Sequence, residues 1–127
     1  MQRPIDTNSL LITQKSLDVL WMKQKVISNN IANADTPGFK SSNVVFEDIL
    51  KNTLSSSGGS EELQQKLLSL EPQILKDNSI QVREDGNNVD LDEQNIELTR
   101  VRLQYETMAR VISEEFSRMQ YVIRGGN

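Results

Sequence analysis

The residues of this sequence best suited to specific chemistry are side-chain amides. Asn29, Asn30 and Asn33 lie close together, and on a helix this spacing places Asn29 and Asn33 on one face with Asn30 beside them. Asparagine is a poor helix former, so a simple helix end does not require three of them. The cluster is either an elaborate C-terminal cap or a set of amides that donate and accept hydrogen bonds across contacts between subunits.

An acidic segment, residues 85–93, is the best candidate for a metal site. It does not fit the calcium-loop pattern, because Val89 occupies position 5, Asp90 replaces the glycine of position 6, and Ile96 stands where a bidentate glutamate is needed. A turn followed by a helix cap explains the same residues. We therefore predict no metal site here.

Composition removes most enzymatic functions. The chain has no cysteine and no histidine, which excludes disulfides, Cys–His and Ser–His pairs and the common zinc sites. It has no glycine-rich phosphate loop, and its net charge of −4 gives no support for nucleic-acid binding. We predict no catalytic residue, no cofactor and no direct small-molecule ligand, and therefore a protein that is not an enzyme.

A long helix over residues 9–33 is expected to carry the amides, with Asn8 or Ser9 as its N-cap. Its apolar residues alternate at spacings of three and four, as in a coiled coil; they include Leu10, Leu17, Leu20, Trp21 and Ile27. After the helix, Pro37-Gly38 favours a type II turn, and Phe39 follows as an apolar anchor. The sequence thus predicts a helix, an amide cluster and a fixed turn in succession.

A second long helix is predicted over residues 90–123, with Asp90 and Glu93 as a reciprocal cap and Gly125 after its end. Its stripe consists of Leu98, Val101, Tyr105, Met108, Ile112, Phe116 and Met119. Only 36% of the residues are hydrophobic and 5% aromatic, which is little for a self-sufficient core. We expect the two helices to pack as a coiled-coil-like pair whose burial is completed by neighbouring molecules.

The middle of the chain changes character. Short helices are predicted over residues 47–54 and 61–70, separated by a Ser/Gly linker, and a small β-hairpin within residues 73–91. The fold class is therefore mostly α. One structural domain is expected, with an N-terminal core helix and turn (1–43), a variable middle (44–84), and a hairpin turn with the C-terminal core helix (85–127).

The segment from Asn30 to Lys40 closely resembles the N-terminal signature of bacterial flagellar axial proteins of the rod and hook family. The resemblance covers roughly residues 9–46 and 85–125, and little of residues 47–84. The resemblance implies that the assembly signature of the family corresponds to ten residues here: Asn29, Asn30, Ile31, Ala32, Asn33, Ala34, Thr36, Pro37, Gly38 and Phe39.

The resemblance implies a structural subunit of the proximal rod of the basal body, assembled through its terminal helices into a hollow drive shaft that transmits torque and encloses the export channel. It also implies a periplasmic location, reached without a cleaved signal peptide. The implied partners are further copies of the chain, the rod proteins FlgC, FlgF and FlgG, the rod-base adaptor FliE and the flagellar export apparatus; no nucleic acid is expected. The alternatives are a sibling rod protein similar to FlgC, or a soluble helical adaptor that binds a single partner.

Overall fold

The structure, a computed structural model, describes residues 7–79 and 83–125. Helices dominate it, and two short strands lie between the long terminal helices, which agrees with the predicted fold class. The elements in chain order are α1 (Thr7–Ala32), β1 (Ser42–Val45), α2 (Glu47–Ser56), α3 (Ser60–Leu68), β2 (Gln73–Lys76) and α4 (Leu91–Ile123).

The two long helices pack against each other in antiparallel orientation. Near the end of α1, the Asn30 side-chain nitrogen lies 2.9 Å from the Gln94 side-chain oxygen at the start of α4. Earlier in α1, the Trp21 ring packs at a tilt against the ring of Tyr105, later in α4. Between these contacts, Leu20, Ile27 and Val101 form a buried cluster, which we call the seam, against which Ile31, Leu98, Tyr105 and Met108 pack. The predicted helix pair is confirmed.

The ends of the long helices agree only in part with prediction. Helix α1 begins at Thr7, so Asn8 and Ser9 lie inside its first turn and the predicted N-cap is wrong. The buried Asn8 amide instead donates to the Ser60 carbonyl at 3.2 Å, which joins α1 to α3. At the start of α4, the Asp90 carboxylate accepts hydrogen bonds from the backbone N–H groups of Asp92 and Glu93, as predicted for this side of the cap.

A second core lies on another side of α1. Val19, Phe46, Leu67 and Leu70 are buried together, and apolar residues from α1, α2 and α3 pack around them. Both predicted short helices are present, and α2 extends two residues further than expected, to Ser56. Helix α1 therefore contacts α4 through one stripe and the middle of the chain through another.

The two strands form an antiparallel sheet, but not the hairpin expected within residues 73–91. Gln73–Lys76 pairs with Ser42–Val45, in the register Ser42↔Lys76 and Val45↔Gln73, so the connection runs through α2 and α3. Residues 80–82 of the predicted hairpin lie outside the described residues. Local alternation of apolar residues indicates an extended segment but does not select its partner, and here β1, held beside α1, is the available edge.

None of the helices in the described ranges is long and apolar enough to cross a membrane. Within those same ranges, no group of three or more acidic, histidine or cysteine side chains could hold a metal ion. The acidic segment, residues 85–93, contains a turn and the Asp90 cap of α4.

Candidate functional site

The segment that follows α1, residues 33–39, forms a fixed turn that we call the signature turn. The Phe39 N–H donates to the Thr36 carbonyl at 3.2 Å, and Gly38 has a φ of +76°. Those two features define a type II turn with glycine at its third position, as the sequence predicted. An added Cβ at Gly38 would meet no atom within 4 Å, so the need for glycine comes from the backbone angle alone.

Asn30 joins three elements at the base of this turn. Its side chain is fully buried, with 0% exposed surface. The amide nitrogen donates to the Ser42 carbonyl at 2.8 Å and to the Gln94 side-chain oxygen at 2.9 Å, and the amide oxygen accepts from the Ser42 N–H at 3.0 Å. One amide therefore ties α1 to β1 and to α4.

The Asn33 amide closes the end of α1 on itself. Its nitrogen donates to the Asn29 carbonyl at 2.8 Å, and its oxygen accepts from the Thr36 hydroxyl at 3.1 Å. The Asn33 nitrogen also donates to the Asn29 side-chain oxygen at 3.2 Å, so all three clustered amides make hydrogen bonds within the chain. Asn29 is the only one of the three whose side chain is exposed, and hydrogen bonds from the cluster to a neighbouring subunit stay a prediction.

The loop before α4 holds the signature turn in place. The sequence did not predict this contact. Asn87, also 0% exposed, donates through its side-chain nitrogen to the Asn33 and Thr36 carbonyls at 2.8 and 2.9 Å. The Arg83 guanidinium donates to the Ala34 carbonyl. The available signal was a pair of asparagines beyond an Asp-Gly turn, but nothing in the local sequence indicates that their partners lie some fifty positions earlier.

The assembly signature thus divides by orientation. Its inward set is buried or half-buried and consists of Asn30, Ile31, Asn33, Ala34 and Phe39. Its outward set is exposed and consists of Asn29, Ala32, Thr36, Pro37 and Gly38. Pro37 and Gly38 of the outward set shape the turn itself, the inward set joins it to the rest of the chain, and the side chains of the outward set are exposed.

The predicted helix-core residues divide in a similar way. Six lie in or against the seam: Leu20, Ile27, Leu98, Val101, Tyr105 and Met108. Four are half-buried: Leu10, Leu17, Ile112 and Met119. Trp21 and Phe116 are 51% and 43% exposed in the single chain. Trp21 lies at the edge of the helix pair, where one side of its ring contacts Tyr105 and the Lys25 ammonium lies 5.6 Å from the ring centre.

Beyond Met108, the apolar face of α4 continues, and its residues in the described part of the chain are exposed or only half-buried. We call these residues the C-terminal stripe: Val111, Ile112, Phe116, Met119, Val122 and Ile123. Of the described residues 109–125, none is buried. At about 1.5 Å per residue, the part of α4 formed by residues 109–123 is roughly 22 Å long.

A groove of about 440 Å³ lies beside the seam and adds to this open surface. Apolar side chains from α1, α4 and the start of α2 line it, among them Val19, Phe46 and Leu103. Leu103 is 59% exposed at its border. The chain therefore presents apolar surface along α4 both beside and beyond its contact with α1.

One ion pair fixes the start of α2 against α1. The Lys23 ammonium donates a hydrogen bond to the Glu47 carboxylate. Partial burial raises the pKa of Glu47, but the hydrogen bond and charge of Lys23, with backbone N–H groups, outweigh it and hold the pKa below its ordinary value of 4.5. The carboxylate is therefore kept charged in the folded protein.

A comparison with known protein families also singles out the signature turn. A family described as flagella basal body rod protein matches residues 22–40, the second half of α1 and the signature turn. Flagellar basal body rod protein FlgG from Buchnera aphidicola is 41% identical over 61 residues, which cover 48% of this chain and 24% of that protein.

Similarity to a second rod protein extends over nearly the whole chain. Flagellar basal body rod protein FlgB from Buchnera aphidicola is 32% identical over 123 residues, covering 88% of this chain and 91% of that protein. FlgB from Borreliella burgdorferi is 32% identical over 131 aligned residues, covering 91% and 96%. The chain therefore belongs to the FlgB family of flagellar basal body rod proteins.

Proposed function

We propose that this chain is a proximal-rod subunit that assembles through its two terminal helices. Membership of the family makes it a structural component of the flagellar basal body rod and not an enzyme. The observation that supports assembly through the helices is the C-terminal stripe, an apolar face of α4 on which none of the six residues is buried.

The size of the stripe indicates how many neighbours are needed. Burial of a large apolar side chain contributes roughly 1.5–3 kcal/mol, so the six partly exposed residues of the stripe offer on the order of 5–10 kcal/mol. Association costs an estimated 4–15 kcal/mol in lost freedom. A single contact along the stripe would therefore come close to break-even, which favours an arrangement in which each subunit meets several neighbours, as in a helical assembly.

The outward set of the signature is proposed as a second contact surface. Residues 1–43 and 85–127 would then form the helical core of a hollow rod that encloses the export channel and transmits torque, with residues 44–84 as the variable middle. Because α1 and α4 are antiparallel, the signature turn and the free end of α4 lie at opposite ends of the helix pair. Contacts at both ends are what a repeating assembly requires.

The partners follow from the family. Association with other rod proteins is supported by the identity shared with FlgG over 61 residues. We propose further copies of this chain, FlgC, FlgF and the adaptor FliE as additional neighbours, and the periplasmic part of the basal body, reached through the flagellar export apparatus, as the location.

The test replaces two stripe residues with aspartate. Phe116→Asp and Met119→Asp should remove rods and motility from a strain that lacks the native gene, because a carboxylate in an apolar contact is strongly unfavourable. Ser117→Asp is the matched control: it adds the same charge to the same helix, on the side opposite Met119, and should leave motility intact.

The isolated variants should keep most of their stability, since no residue of the stripe is buried before assembly. Urea unfolding should give midpoints close to that of the unmodified protein for Phe116→Asp and Ser117→Asp. Normal rods in the Phe116→Asp and Met119→Asp strains would contradict the proposal. Loss of rods in the Ser117→Asp strain would also count against it, because the effect would then follow charge and not the stripe.

A further inference from the structure

We infer that the loop formed by residues 85–89 is a latch that sets the conformation of the signature turn, and that Asn87 is a positioning residue for rod assembly. The inference rests on the proposed function only for the assembly step. The latch itself consists of contacts between the loop and the turn.

The Asn87 amide is saturated by contacts that belong to the turn and the loop. Its nitrogen donates to two carbonyls of the turn, those of Asn33 and Thr36. Its side-chain oxygen accepts from the Val89 N–H at 2.8 Å. The backbone N–H of Asn87 donates to the Asp85 carboxylate at 3.0 Å. The Asn87 side chain has 0% exposed surface. Loss of these partners would therefore leave buried polar groups unpaired.

Backbone contacts seat the same loop against the turn. The Gly38 N–H donates to the Asp85 carbonyl at 2.8 Å, and the Lys40 ammonium donates to the Gly86 carbonyl at 2.5 Å. Gly86 has a φ of +80°, and a Cβ there would lie 3.4 Å from the Cα of Gly38. Two glycines thus allow the loop and the turn to approach closely.

Asn88 extends the latch to the strands. Its side-chain oxygen accepts from the Ser41 N–H at 2.7 Å, and its nitrogen donates to the Asp77 carbonyl at 2.7 Å. The Asn88 N–H also donates to the Phe39 carbonyl at 3.3 Å. The segment that leaves the turn is therefore held on both sides.

The latch leads directly into α4. Val89 is buried, Asp90 caps the helix, and α4 begins at Leu91. The position of the turn is consequently tied to the start of the helix that carries the C-terminal stripe. Because a repeating assembly needs its contact surfaces at a fixed angle, the latch would fix the outward set of the signature relative to that stripe.

The experiment uses Asn87→Asp in the full-length protein. This change keeps the oxygen that accepts from Val89 and replaces the donating amide by a carboxylate facing two carbonyl oxygens. Amide hydrogen exchange at Gly38 and Phe39 should become roughly ten- to a hundredfold faster, whereas exchange in the seam, at Ile27 and Val101, should change little. Asn52→Asp, an exposed site on α2, is the control of equal charge change and should alter neither.

In cells, Asn87→Asp should abolish rods and Asn52→Asp should not. A turn that stays protected in Asn87→Asp overturns the latch, and so do normal rods built from a protein whose turn has opened. The exchange measurement needs no rods, so the latch can fail while the proposed function stands. Normal rods in Phe116→Asp would overturn the function without touching the latch.

Gly86→Ala provides a second variant that adds no charge. A methyl group there presses on Gly38 and strains a positive φ, so the same selective opening of the turn is expected. If Asn87→Asp and Gly86→Ala both lose their helical circular dichroism, the loop supports the whole fold and not the turn in particular, which overturns the inference.

Discussion

Two neighbouring asparagines offer the sharpest test of how the signature works, because Asn30 is fully buried and Asn29 is exposed. We expect Asn30→Ala to destabilise the isolated protein strongly and Asn29→Ala to have little effect. The two substitutions remove the same side chain from adjacent positions of one helix. Any difference between them reports the environment of each amide.

The magnitude follows from the hydrogen bonds that Asn30 makes. Its removal leaves the Ser42 N–H, the Ser42 carbonyl and the Gln94 side-chain oxygen without this partner. A buried polar group left unpaired costs about 1–3 kcal/mol, and part of that cost is regained where water reaches Ser42, which is half-buried. We expect a loss of about 3 kcal/mol in the free energy of unfolding. For Asn29→Ala we expect a change within about 0.5 kcal/mol.

Urea unfolding measures this difference directly. The single tryptophan, Trp21, lies against Tyr105, so its fluorescence reports separation of α1 from α4, and circular dichroism reports loss of helix. With a denaturant slope of about 2 kcal/mol per molar urea, the midpoint should fall by about 1.5 M in Asn30→Ala. If that variant proves unfolded without urea, both variants can be compared in a stabilising osmolyte.

A midpoint in Asn30→Ala equal to that of the unmodified protein would refute this reasoning. It would show that Asn30 is not held in a buried network, or that its partners find water at no cost. A midpoint that falls as far in Asn29→Ala as in Asn30→Ala would equally contradict the division of the signature into inward and outward sets.

Three further predictions concern individual residues. Gly38→Ala should lower the free energy of unfolding by about 1 kcal/mol, because a φ of +76° is unfavourable for alanine while space for its methyl group is open; urea midpoints measure it. Asp90→Ala should cost about 1 kcal/mol by removing the cap of α4, again by urea unfolding. The lowered pKa of Glu47 means that its contribution to stability is present above about pH 4.5 and is lost as the pH falls through the folded-state pKa. Urea midpoints recorded between about pH 6 and 3 should therefore fall slightly less in Glu47→Gln than in the unmodified protein, and an identical decline would contradict the pairing with Lys23.

The long helices were predictable because their signals are strong and repeated. Alternating apolar residues defined both stripes, and Asp90 marked the start of α4 within one residue. The type II turn was predictable for a similar reason, since Pro37-Gly38 restricts the backbone directly. In each case the information is local and redundant.

The contacts between distant segments were not predictable in the same way. The pairing of β1 with β2, and of Asn87 with the carbonyls of the turn, depends on which surfaces meet after the helices have packed. Local alternation of apolar and polar residues indicates a hairpin, and in that interpretation residues 85–88 are only the turn of the hairpin. An amide gives no sign in the sequence of whether its partner lies inside the chain or in a neighbour.

Trp21 and Phe116 illustrate a limit of helical periodicity. Both fit the stripes by spacing, yet both are exposed in the single chain. Periodicity identifies an apolar face but not the molecule that covers it. For a rod subunit that ambiguity is expected, because part of each stripe is covered by α1 or α4 and part is proposed to be covered by neighbours.

Hydrogen exchange measured before and after assembly shows whether neighbouring subunits cover the C-terminal stripe. In the isolated protein, the amides of residues 109–123 should exchange rapidly while those of the seam, around Ile27 and Val101, are protected. In purified basal bodies the same residues 109–123 should become protected. Strong protection of residues 109–123 in the isolated chain, or equally rapid exchange after assembly, would contradict the claim that neighbouring rod subunits cover the C-terminal stripe.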